Sequence, residues 1–93
     1  MDALEVRGRI QELPRKVLAA RIRRARRDAD VSLDHVAEKA GTSRQHLINL
    51  EKGRHRPRPE MLERIADALN RPIDDFLAEE VQEPGSFLAE DAA

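Results

Sequence analysis

Apolar residues recur along this chain at helical rather than strand spacing, and no alternating run long enough for a half-buried strand interrupts them. Leu18, Ile22, Ala25 and Ala29 step by four, three and four residues, which draws one stripe on a helix starting near Pro14, a residue suited to the first helical position. A second helix is predicted after Ser32, whose hydroxyl can accept the unpaired N–H groups of the first turn, with Asp34 in that turn and Val36, Ala37 and Ala40 inward. Gly41 ends it. Ser43 caps the next helix, over 43–52, in which only Leu47 and Leu50 need a core and Gly53 supplies a left-handed stop. Residues 54–58 read as a loop, since Pro57 and Pro59 bias the residues before them toward extended backbone. Pro59 then opens a helix with Leu62, Ile65, Ala66 and Leu69 at i, i+3, i+4 and i+7. Past Pro72, a short last helix offers Ile73, Phe76 and Leu77, either to close the core or to join two subunits.

The two ends read differently. Val6, Ile10 and Leu13 share a helical face, but Pro14 drives Leu13 out of the α region, so a separate short helix is expected there, packed on its own domain in preference to a dimer contact. Beyond Leu77 the chain turns acidic and contains Pro84 and Gly85, which predicts a loosely held tail. The expected organisation is therefore all-α: an N-terminal helical extension (1–13), a compact helical domain (14–77) and an acidic tail (78–93).

Composition narrows the chemistry. The chain has 93 residues, enough for one small core, and no cysteine, which excludes disulfides, thiol catalysis and cysteine-based metal sites. No run of 18 apolar residues occurs, and Asp2 and Glu5 replace the basic and apolar regions of a secretory signal, so a cytoplasmic protein is expected. His35, His46 and His55 lack the spacing of a metal site, and no nucleophile motif, phosphate-binding glycine loop or dinucleotide fingerprint is present. Neither an enzyme nor a cofactor is expected. With Phe76 and Phe87 as the only aromatics, a stacking platform for single strands is disfavoured.

Charge changes the picture more. A net charge of −1 conceals two opposed blocks: residues 14–58 hold 13 Lys/Arg against 5 Asp/Glu, and residues 59–93 hold 2 against 10. A basic half of this kind suits a polyanion. Within it, helix 43–52 turns Arg44, Gln45, His46 and Asn49 outward, side chains able to read base edges in a DNA major groove. Arg44 can donate twice to guanine, while Gln45 or Asn49 can supply the paired donor and acceptor that adenine requires. Ser32, Ser43, Arg54, Arg56 and Arg58 are candidates for phosphate contacts, the three arginines alternatively for a minor groove. Arg21, Arg23 and Arg24 fit either DNA contact or a merely solvated face.

Two short helices meeting at Gly41 describe a helix-turn-helix. Ile22, Arg26, Ser32, Ala37, Gly41, Ser43, Leu47, Leu50, Glu51, Gly53, Pro57, Leu62, Ile65 and Leu69 together resemble the pattern of the Cro/C1-type (XRE) helix-turn-helix family, over about residues 18–77. The resemblance implies a five-helix, lambda-repressor-like DNA-binding domain whose third helix enters the major groove, as a dimer on two half-sites. It also implies a structural ion pair between Arg26 and Glu51. Leu33 departs from the pattern, where many relatives carry a glutamine that bridges phosphate and recognition helix, and Ile48 stands where a small or polar residue is common. The functional expectation is a bacterial or phage transcriptional regulator, a repressor binding an inverted repeat of duplex DNA as a homodimer. The alternative is an antitoxin that binds DNA and neutralises a partner protein through its acidic tail.

Overall fold

The break between the first two helices is made at Leu13, which is extended ahead of Pro14 (φ −85°, ψ 141°). In the computed structural model, which describes residues 2–78, this break separates α1 (Ala3–Glu12) from α2 (Arg15–Asp28). Four helices follow: α3 (Leu33–Ala40), α4 (Arg44–Glu51), α5 (Pro59–Ala68) and α6 (Asp74–Leu77). No strand occurs among the described residues. Residues 79–93, and with them most of the expected acidic tail, lie outside the described part.

Three of the helices, α1, α3 and α4, start where a side chain satisfies an unpaired N–H group, whereas α2, α5 and α6 have no side-chain cap. Asp2, Ser32 and Ser43 accept from the backbone N–H of Glu5, His35 and His46 at 2.9, 3.0 and 3.0 Å. The helices α2 to α5 stop by a common device. Asp30, Gly41, Gly53 and Asn70 all take positive φ, between 58° and 77°. In each case the following N–H reaches back five residues to a helix carbonyl: Val31 to Arg26, Thr42 to Ala37, Arg54 to Asn49, and Arg71 to Ala66. These are Schellman ends, and Asp and Asn are the non-glycine residues that tolerate this backbone best. The two glycines are legible in the sequence as stops, whereas Asp30 and Asn70 are recognised only from their backbone.

The core is continuous from end to end. Leu18, Ile22, Ala25, Val36, Ala37, Ala40, Leu47, Leu50, Leu62, Ile65, Ala66, Leu69, Phe76 and Leu77 are all buried in one cluster, as their periodicity requires. Ala29 is the exception in the predicted stripe. It is exposed because α2 ends at Asp28 and the chain turns away at Asp30, and Ala19 is buried on α2 instead. Ile73 is half-buried against the cluster.

Val6, Ile10 and Leu13 enter this same core, with Val6 and Ile10 almost wholly buried, and α1 packs on α5 and α6. The N-terminal segment is thus one wall of the domain. Elsewhere α3 packs on α4 and α5, and α2 on α4 and α6. This leaves one side of α4 uncovered by the other described helices.

Candidate nucleic-acid interface

The turn from α3 to α4 spans 41–43, with Gly41 left-handed and Ser43 extended as the cap of α4. Short, capped at both ends and anchored by Leu47, Leu50 and Glu51, α4 is held by one face only. On the other face Arg44 and Gln45 are exposed, and His46, Ile48 and Asn49 are partly exposed. Ile48 is therefore neither fully solvated nor a core residue. Leu33 is half-buried against the core, so the position that departs from the XRE pattern is used for packing.

The outward side chains are tied to one another. Arg44 Nε lies 3.6 Å from Asp34 Oδ1 of α3, a loose pair with both members well exposed. Gln45 Nε2 donates to Asn49 Oδ1 at 3.3 Å, and Arg54 Nη1 donates to the same oxygen at 2.9 Å. The rings of His46 and His55 stack with centroids 6.4 Å apart. The face of α4 and the loop after it form a single connected surface.

Beneath that surface the helix is fixed by an ion pair. Arg26 donates from Nε to Glu51 Oε2 at 2.7 Å and from Nη2 to Oε1 at 3.1 Å, and its Nη1 donates to the Val31 carbonyl at 3.1 Å. Both side chains are largely shielded, at 16% and 6% exposure. The bidentate geometry joins α2, the α2–α3 turn and the end of α4, a structural rather than a reading role.

The phosphate candidates divide. Ser32 and Ser43 are exposed, and their oxygens accept from N–H groups in the first turns of α3 and α4. A hydroxyl that accepts in this way keeps its own hydrogen to donate, which is what a phosphate oxygen requires. Arg58 is exposed at the start of α5. Arg54 shares a cationic cleft of about 450 Å³ with Lys16 and Arg23 of α2 and with Lys52; Glu51 also lines it. Lys16 and Lys52 have no signal in the sequence, because only the approach of α2 to the end of α4 brings them together. Gly53 sits beside Lys16 where the chain turns: its φ of +77° favours glycine, while a Cβ there would make only ordinary contact with Lys16 Cγ, at 3.4 Å.

Arg56 is exposed, and one of its nitrogens is engaged within the protein. Its Nη1 donates to the carbonyls of Ile10, at 2.8 Å, and Leu13, closing the C-terminal end of α1. Arg21, which fitted either DNA contact or solvation, donates to the carbonyls of Phe76, at 3.1 Å, and Ala78 at the end of α6. Arg15 Nη1 donates to the Arg54 carbonyl at 3.2 Å. These arginines act as helix-end and loop braces, a use that a count of positive charge cannot distinguish from DNA contact.

A family model described as a helix-turn-helix domain matches residues 17–78, two-thirds of the chain. The chain belongs to the XRE-type helix-turn-helix family. It is 42% identical over 50 residues to a protein of Methanothermobacter thermautotrophicus described as an uncharacterized HTH-type transcriptional regulator, a match covering 54% of this chain and 72% of the relative. Among solved structures it is similar to the clp gene regulator ClgR from C. glutamicum, with a TM-score of 0.69 and 33% identity over 78% of this chain and 95% of the other. In this helix-turn-helix, α3 and α4 are the paired helices, and α4 is the second. The family match begins after α1, which the chain adds in front of it. No helix among the described residues is long and apolar enough to cross a membrane.

Proposed function

We propose that this helix-turn-helix protein regulates transcription by binding duplex DNA, as a cytoplasmic repressor that sits on an inverted repeat as a dimer and blocks access to a promoter. The observation that carries the reading is the exposed face of α4: Arg44, Gln45 and Asn49 stand on one side of a capped helix whose opposite face is locked by Leu47, Leu50 and Glu51. A helix presented this way can enter a major groove with its N-terminal half foremost. Arg44 supplies a two-pronged donor for guanine O6 and N7, and Gln45 a donor and acceptor for adenine. His46 lies between base edges and backbone. Ser32, Ser43, Arg54 and Arg58 flank the helix and hold phosphates, which sets register without reading sequence. The descriptions of the relatives, an HTH-type transcriptional regulator and a clp gene regulator, support regulation as the outcome.

The test is selection of bound duplexes from a random pool at one stated salt concentration. A palindromic consensus with half-sites about one helical turn apart is the expected result. Arg44→Ala should relax one base pair in each half-site and cost about 1–3 kcal/mol of specific binding. A consensus unchanged by Arg44→Ala removes α4 from the role of reading helix.

A further inference from the structure

We propose that Arg54 is a specificity-determining residue that acts through Asn49, fixing its amide so that the group offers N–H donors rather than an acceptor to the major groove. The proposal rests on the reading of α4 as the groove-facing helix. A guanidinium has donors only, so the end of the amide that meets Arg54 Nη1 at 2.9 Å is the oxygen. Gln45 Nε2 approaches that same oxygen at 3.3 Å. An amide oxygen has two lone pairs, and here both are engaged. What Asn49 has left for a base is Nδ2 and its two hydrogens.

Arg54 is well placed to impose this. Gly53 is left-handed, and the resulting turn brings the Arg54 N–H onto the Asn49 carbonyl at 3.0 Å. Arg15 Nη1 holds the Arg54 carbonyl from the other side at 3.2 Å. The backbone of Arg54 is thus pinned next to Asn49 from both ends, and only the side chain has to choose a rotamer. The relay is exposed in the free protein, where water weakens each bond. Insertion into a groove excludes that water and strengthens them.

The consequence is a change of base preference. A paired contact to adenine needs a donor and an acceptor on one amide. Asn49 has lost the acceptor, so it favours the keto edges, guanine O6 or thymine O4, over the amino edges of adenine and cytosine. Gln45 keeps its own oxygen and one Nε2 hydrogen, so the adenine contact falls to Gln45. Arg54 thereby affects sequence preference without touching a base.

Duplex selection with the full chain, at one salt concentration, tests this. The base pair read by Asn49 is the one whose preference vanishes in Asn49→Ala. There the native protein should select guanine or thymine, and Arg54→Ala should raise adenine relative to both by about five- to tenfold, the worth of one hydrogen bond. The base pair lost in Arg44→Ala should be unaffected by Arg54→Ala. Asn49→Asp keeps the oxygen for Arg54 but turns the groove-facing atom into an acceptor, and should move the preference to adenine or cytosine. An Arg54→Ala variant that weakens all duplexes alike with an unchanged consensus overturns the proposal and leaves Arg54 a phosphate contact. Adenine selected by the native protein at that base pair overturns it too. A consensus that survives Arg44→Ala intact marks the failure of the α4 reading itself, and the proposal falls with it.

Discussion

At the scale of single residues, this protein uses arginine for three different purposes, and the partner decides which. Arg26 is shielded and bidentate with Glu51, Arg56 closes a helix end, and Arg44 is exposed on the candidate reading face. The Arg26 and Glu51 pair is the most consequential of these for stability. Removing Glu51 leaves a largely buried guanidinium with only the Val31 carbonyl, which costs about 3 kcal/mol. In thermal denaturation Glu51→Ala should lower Tm by about 10–20 °C, and at temperatures where it stays folded the base preference should be unchanged. An unaltered Tm would show that the pair contributes nothing net. The pair is legible only through the family resemblance, since Arg26 and Glu51 lie 25 residues apart and no local pattern links them.

Among the elements, the sequence describes the helices better than their relations. Caps and stops are local: Ser32, Ser43 and Gly41 act within a few residues of themselves, so their chemistry is visible in the chain. The placement of α1 is not local. Its apolar face is evident in Val6, Ile10 and Leu13, but what it covers is set by α5 and α6, far along the chain. Arg56 reads as a phosphate candidate because it sits in a basic loop, and nothing in that loop announces the carbonyls of Ile10 and Leu13 as its partners. Since Arg56 is itself exposed, Arg56→Ala should cost only about 1 kcal/mol globally. Its effect should be concentrated in α1: hydrogen exchange at the amides of residues 7–12 should accelerate while that of α3 and α4 changes little. Equal acceleration throughout would mean that α1 opens only with the whole domain.

For the whole molecule, charge distribution matters more than net charge. Lys16 and Arg23 of α2 gather with Lys52 and Arg54 around the C-terminal end of α4, while Asp74 and Asp75 sit on α6. If Arg54 and Arg58 of two subunits each neutralise one phosphate, the logarithm of the association constant should fall with the logarithm of salt at a slope of roughly −4, at about −0.9 per contact. Engagement of Lys16, Arg23 and Lys52 steepens it. A titration series from low to moderate salt measures this directly, and a slope near zero would refute a phosphate-anchored complex.

The sequence alone determined the helices, their caps and most of their stops, the apolar faces and the polar surface of α4, because each depends on residues within a few positions of one another, where backbone geometry and hydrophobic spacing act. Tertiary structure decided the partners. It made α1 a wall of the core, turned Arg15, Arg21 and Arg56 into braces, and brought Lys16 to Lys52. By folding the chain back at Gly53, it also set Arg54 against Asn49. Those are contacts between long, flexible charged side chains and groups fixed by the packing of other helices. A guanidinium can serve a carbonyl, a carboxylate or a phosphate equally well, so its role is set by whichever of these the fold brings within reach.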